Sequence, residues 1–421
     1  MLLSTIFYCL IPLLIIIVDV GIVFLFNNLK FFQSQYFPKT NNKFVCFFAS
    51  RFHNKDFLSR LVFSVVVIFI LAAICGFRSV SVGADTKAYF DFYSTVNQYS
   101  FEEIKTTNFT FERGFVILAY LFAIAHIPYY VFSFVIYFYF FVVLIIVCQL
   151  YSKMPSLTLA LYVCFGFFAL NLSTIRQTLA FSFCLLSLIP FALIKNRYLK
   201  FISVLIVFVG YFFHSSVILF VFVYLFYFIK IKTTRGALIL FLSFAVSFCF
   251  FAPIGSYIFL SISNPTNVYS FYPPALQLSS ISGTSILLII VLVLYIVLNI
   301  YYFDFSRFLS FSFIKFFNEK FFQKISISTN MVEGKTERMA FSMTFFQLSL
   351  FMYDQIIFLL SRAGLYGCLG FCLMIPKLLD GYSRGKQHIF TILLVTLFGT
   401  LYFYFTVLRV NYLNLLPYGV F

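Results

Sequence analysis

The chain has 421 residues, 62% of them hydrophobic and only 10% charged, with a formal charge of +16. Its mean hydropathy is +1.02, a balance that excludes a soluble globular domain and points to an all-α, polytopic membrane protein. The excess of Lys and Arg lies in short loops between apolar runs, so it reads as the positive-inside pattern, and no nucleic-acid partner is expected.

At about 20 apolar residues per span, the chain holds about 12 transmembrane helices in a single domain covering residues 1–421. The first span is expected at 3–26. A basic loop with Lys30, Lys39, Lys43, Arg51, Lys55 and Arg60 follows, which places the N-terminus outside the cytoplasm. The second span, 61–77, ends just before Arg78. Residues 78–128 then form an external loop carrying Asp85, Asp91, Glu102, Glu103 and Glu112. Within it, 114–126 is apolar but too short to span, and reads as a re-entrant or interfacial helix.

Spans at 129–150, 156–170 and 178–194 lead to the basic Lys195–Lys200 loop, with an external turn at Asn171–Gln177. A second hairpin, 199–213 and 217–229, turns at Phe213-His214-Ser215-Ser216. Legs of about 15 residues rise roughly 22 Å, short of a hydrocarbon core near 30 Å, so both turns are expected in a recessed, outward-opening vestibule. Spans at 236–253 and 284–303 flank an uncharged external loop, 254–283. A basic cytoplasmic loop, 304–339, precedes spans at 340–360, 364–379 and 389–408, and the C-terminus is expected outside.

Parity of these spans places Arg78, Arg113, Arg176, Arg362 and Arg409 on the external side, against the general trend. A set of guanidinium groups there suits phosphate, which the planar Arg fork binds bidentately. Arg176, at the recessed turn, stands out because ionisable groups at membrane depth are costly. His214, at the other recessed turn, is a candidate base or donor. Glu112 and Asp85 are further acid–base candidates, although a carboxylate in a first helical turn also suits the helix dipole for its own sake. Asp354, within its span, reads as a structural partner of Arg362. The nine cysteines include no CxxC pair and no Cys/His cluster, so neither a metal site nor a disulfide framework is indicated. Cys368 and Cys372, with Gly364, Gly367 and Gly370, read as small residues permitting close helix contact. No P-loop, nucleotide fingerprint or serine-nucleophile elbow is present.

Four motifs, in order, resemble the EpsG-type branch of the Wzy-like bacterial polysaccharide polymerases. They are Arg78 with Gly83-Ala84-Asp85-Thr86 and Tyr89; Phe111-Glu112 with Gly114-Phe115; Asn171 with Ile175-Arg176-Gln177 and Ala180; and Phe213-His214-Ser215-Ser216. They cover about 78–230, with a weaker echo at Arg362, and Arg113 is not part of the pattern. The resemblance implies a membrane glycosyltransferase that joins undecaprenyl-diphosphate-linked oligosaccharide repeat units into O-antigen, capsular polysaccharide or exopolysaccharide. It would work on the outer face of the bacterial cytoplasmic membrane, beside a flippase and a chain-length regulator. No cofactor or metal is expected, because the donor is already activated on its lipid. In that reading Arg176, Arg78 and Arg362 hold the diphosphate. His214, Asp85 and Glu112 are the candidate bases, with His214 first, and Asn171, Gln177 and Tyr89 touch sugar. The rival readings are a transporter of the lipid-linked unit and an outward-facing sugar ligase or acyltransferase.

Overall fold

A computed structural model describes residues 1–28, 55–194, 196, 198–228, 335–352, 364–380, 386–411 and 413–420. Among these, regular structure is helical, apart from an isolated β-bridge between Arg78 and Val420. Five helices are long and apolar enough to cross a membrane, or six if one bent pair counts as a single span. The expected twelve therefore reduce to that number among the described residues. The expected spans 236–253 and 284–303, and the external loop 254–283, lie outside them. So does the loop 304–339 up to residue 334.

The long helices follow from unbroken apolar runs, in which every backbone amide is satisfied within its own segment. They are α1 (Leu2–Asn28) and α2 (Lys55–Gly76). Residues 78–113, expected as loop, instead carry two short helices, α3 (Thr86–Val96) and α4 (Phe101–Thr106). The second starts with a reciprocal capping box between Ser100 and Glu103, a local signal that a charge-based reading passes over. The expected short helix is α5 (Arg113–Ile124), followed by α6 (Tyr129–Tyr151).

The next span differs from expectation. It is split into α7 (Pro155–Cys164) and α8 (Phe167–Ser173), bent by 62°. The bend is at Gly166, whose φ of +80° lies in the left-handed region that a side chain disfavours. The turn expected over 171–177 shrinks to Thr174 alone, and α9 (Ile175–Leu193) begins at once. At 19 residues α9 is long enough to span, so the short-leg argument does not hold for it.

The second hairpin is α10 (Phe201–Tyr211), a 3₁₀ turn (Ser215–Phe220) and α11 (Val221–Phe228). The C-terminal part supplies α12 (Lys335–Met352), a 3₁₀ turn (Leu365–Gly367), α13 (Cys368–Asp380) and α14 (Lys386–Phe403), which ends in a π turn.

Helix α6 packs on α2 and α9; α7 packs on α1, α13 and α14; α13 packs on α12. Glycine sets the last contact: a Cβ at Gly370 would meet the Ala340 carbonyl at 2.6 Å and one at Gly367 the Met343 carbonyl at 2.3 Å, so the backbones nearly touch.

The chain ends meet at one end of the bundle. The Tyr418 amide donates to the Ser4 hydroxyl at 3.1 Å, and the Tyr418 hydroxyl donates to the Ile74 carbonyl at 2.9 Å. The Ser79 amide donates to Gly419 at 2.7 Å, and the Gly83 amide to Asn414 at 2.9 Å. The start of α1, the end of α2, the C-terminal segment and the loop after Arg78 therefore share that end.

Candidate functional site

The break between α8 and α9 leaves helix-end carbonyls in a buried place, where an unpaired polar group is costly. Each finds a donor. The Leu170 carbonyl accepts from the Thr174 hydroxyl at 3.0 Å, and the Asn171 carbonyl from Tyr137 Oη at 2.7 Å and Thr178 Oγ1 at 3.2 Å. The Leu172 carbonyl accepts from Arg78 Nη2 at 2.6 Å.

Arg78 is only 1% exposed, and its donors are committed. Nε reaches the Val82 carbonyl, Nη1 the Cys75 carbonyl, and Nη2 also reaches Thr86 Oγ1 and Tyr137 Oη, both at 3.2 Å. Gly83, with φ +96°, passes so close that a Cβ would meet the Leu172 carbonyl at 2.8 Å. The first motif thus folds onto the helix break of the third.

That junction fixes the start of α9, and with it Arg176 in the first helical turn. The guanidinium lies over the Phe111 ring at 4.4 Å and the Tyr89 ring at 5.6 Å, and Nε donates to Tyr89 Oη at 3.4 Å. Its Nη1 pairs with Glu112 Oε2.

Glu112 is the N-cap residue of α5, in extended conformation. It is brought across the site by Gly114, whose amide donates to the Phe212 carbonyl at 2.9 Å, with no room for a side chain. The other carboxylate oxygen, Oε1, lies 2.8 Å from His214 Nδ1 and accepts from the Ser215 amide at 3.3 Å. Burial opposes the Glu112 charge, but the His214 hydrogen bond and the Arg176 charge outweigh it, and the pKa falls to about 2. The carboxylate is therefore ionised throughout the physiological range. The cluster remains partly open: the side chains of Arg176, Glu112 and His214 are 17%, 23% and 24% exposed.

Beneath it lies Tyr366, fully buried. Its hydroxyl is 2.9 Å from Ser216 Oγ and also hydrogen-bonds with the Gln177 side chain. One phenol thereby ties the His214 turn to the residue after Arg176.

The structure thus gathers Arg176, Glu112, His214 and Tyr89 into one cluster drawn from α9, α5, the second hairpin turn and α3. It places Arg78 elsewhere, inside the helix junction with no face open to a substrate. Where a role at the diphosphate was expected, each of its guanidinium nitrogens is engaged by the protein itself. Asn171 is buried, donating to Tyr162 Oη at 2.6 Å, and Gln177 is buried against Tyr366. These two expected sugar contacts therefore face into the protein, the Asn171 amide toward Tyr162 of α7 and the Gln177 amide toward Tyr366. Tyr89 is likewise mostly enclosed, at 5% exposure, and its hydroxyl serves Arg176. Asp85 is half-buried at the N-terminus of α3, one turn before Tyr89, and its carbonyl accepts from the Tyr89 amide at 3.3 Å. Arg362 and Asp354 lie outside the described residues. Tyr366 and Phe111 were not anticipated in roles at the site; Phe111 was legible as the neighbour of Glu112, whereas nothing local marks Tyr366. Among the described residues, no three His, Cys, Asp or Glu side chains gather as a metal site would need.

Compared with known proteins, the chain matches the model of the EpsG family over residues 61–420. No curated protein and no solved structure matches it.

Proposed function

The chain belongs to the EpsG family, and on that premise we propose that it is a membrane glycosyltransferase of polysaccharide biosynthesis that polymerises lipid-diphosphate-linked oligosaccharide repeat units. The observation that carries this reading is the half-open cluster of Arg176, Glu112 and His214 at one end of an apolar helical bundle. It sets a fixed cation beside a carboxylate-oriented imidazole, the two functions that such a transfer requires.

In the reaction, an acceptor sugar hydroxyl attacks the anomeric carbon of a second unit. The new glycosidic C–O bond forms as the bond from that carbon to the phosphate oxygen breaks. The electron pair leaves with the carrier diphosphate, and the hydroxyl proton passes to a base. Arg176 stabilises the charge growing on the departing diphosphate; donors so placed contribute roughly 10²–10³ in rate.

The base is His214. Its Nδ1–H donates to Glu112 Oε1, which leaves Nε2 as the proton acceptor toward substrate. Glu112 is an orienting group here: a carboxylate with a pKa near 2 is a weak base at neutral pH. Asp85 lies outside the ion-paired cluster and is second in rank. The carrier is an undecaprenyl diphosphate, the site faces the outer side of the cytoplasmic membrane, and Arg362 is a further candidate for the diphosphate.

Deleting the gene and resolving the surface polysaccharide on a gel tests the reading. Loss of a polymerase leaves acceptors that carry one repeat only, whereas loss of a transporter or ligase leaves none. An unchanged long ladder would end the proposal. In the complemented strain, Arg176→Ala at normal membrane levels is expected to give the single-repeat pattern, and full ladder length would remove Arg176 from the mechanism.

A further inference from the structure

Three donors converge on one carboxylate. The Arg176 guanidinium takes Glu112 Oε2, while His214 Nδ1 and the Ser215 amide address Oε1 at 2.8 and 3.3 Å. A guanidinium, an imidazole and a backbone N–H form the kind of donor set that holds a phosphate group, and here the chain's own anion fills it.

The aromatic seat of the guanidinium is independent of that anion. Phe111 and Tyr89 hold Arg176 from the ring side, so the cation keeps its place when the carboxylate leaves. Glu112 Oε1 is held by His214 and the Ser215 amide, and Oε2 is the oxygen given to Arg176. Glu112 is an N-cap residue whose side chain makes no cap hydrogen bond to its own helix, so swinging away from Arg176 breaks no helical contact.

We propose that Glu112 is a displaceable placeholder, and that a phosphate group of the lipid-linked substrate binds by exchanging with Glu112 Oε2 on Arg176. This rests on reading Arg176 as the phosphate-binding residue. The exchange also orders the reaction. While Arg176 neutralises it, the carboxylate shares its charge between the guanidinium and the donors on Oε1. Once phosphate takes Arg176, the carboxylate keeps only His214 and the Ser215 amide, and its unneutralised charge better supports the imidazolium that forms when the acceptor is deprotonated. The base is thus armed only when a donor diphosphate is in place, which protects activated units from unproductive proton transfer and hydrolysis.

The test uses inorganic pyrophosphate as probe and the full chain in detergent, with no polysaccharide needed. By titration calorimetry, Glu112→Gln is expected to bind pyrophosphate about tenfold more tightly than the wild type, the scale of one charged hydrogen bond no longer contested. Glu112→Gln combined with Arg176→Ala is expected to lose that gain.

A second measurement needs no variant. Carbodiimide labelling of Glu112 in the wild type, read by mass spectrometry, is expected to rise when pyrophosphate is added, opposite to the protection a ligand normally gives. Equal or weaker binding by Glu112→Gln overturns the proposal. So does tight binding that persists without Arg176, labelling that falls with pyrophosphate, or absence of pyrophosphate binding in every form. These outcomes are separate from the ladder assay: a polymerase whose Glu112 does not exchange keeps its ladder phenotype and fails only here.

Discussion

At the residue scale, two arginines expected at the same diphosphate have opposite situations. Arg176 is part-exposed and shares its charge with a carboxylate and two rings. Arg78 is enclosed and holds the broken helix together. Replacing Arg78 with Met removes a donor from the Leu172, Cys75 and Val82 carbonyls, of which Thr86 Oγ1 still reaches Val82 at 2.7 Å and Leu172 at 3.5 Å, and a buried acceptor left unpaired costs about 1–3 kcal/mol. A large fall in thermal stability is therefore expected, measured by unfolding in detergent. A stable Arg78→Met protein that merely binds substrate poorly would instead return Arg78 to the substrate site. Glu112 offers a pH test. Its folded pKa, about 2, lies below the ordinary value of 4.5, so its ionised form is favoured by folding. Its contribution is complete above about pH 5 and is lost as pH falls from 4.5 toward 2. The stability gap between wild type and Glu112→Gln is expected to be constant near neutrality and to close over that acid range; a gap that widened on acidification would reverse the assignment.

At the element scale, the site exists because helices are broken or started at particular places. Gly166 bends the α7–α8 pair, Thr174 separates α8 from α9, and the Glu112 N-cap begins α5 beside the Phe212 carbonyl. The last contact has no tolerance: a Cβ at Gly114 would lie 2.6 Å from that backbone oxygen. Gly114→Ala is expected to push the start of α5 off the second hairpin, separate Glu112 from His214, and cut polymer yield by an order of magnitude or more, while the protein remains in the membrane. Ladder length against membrane abundance checks this, and an unimpaired Gly114→Ala strain would show that the two elements do not need to touch. The start of α5 was legible as an apolar run opened by Glu112-Arg113-Gly114. The α7–α8 bend at Gly166 was not, because an apolar stretch with one glycine reads the same whether it is straight or bent.

At the scale of the whole molecule, the arrangement is one of ends. The N-terminal turn of α1, the end of α2, the α8–α9 junction and the C-terminal segment are joined by the hydrogen bonds of Tyr418, Ser79, Gly83 and Ser173. Helix α9 then runs 19 residues, about 28 Å, away from that end toward Asn196. Single cysteines at Gln98 and Asn414 in a cysteine-free background are expected to react with a membrane-impermeant reagent in intact cells, while one at Asn196 reacts only after permeabilisation. Gln98 and Asn196 labelling from the same side would break the topology.

The sequence by itself determined the class of molecule, the helical content, the long apolar helices α1, α2, α6 and α9, and the residue types of the site, because hydrophobic run length and charge placement are local properties. Only the tertiary structure decided which polar residues meet. Arg176, Glu112 and His214 are separated by 64 and 102 residues in the chain. Their encounter depends on a bent helix, a glycine contact between two turns, and a buried tyrosine far along the chain. The same packing diverted Arg78, Asn171 and Gln177 inward, because a helix broken inside an apolar bundle must have its exposed carbonyls and side-chain amides satisfied by the nearest donors and acceptors.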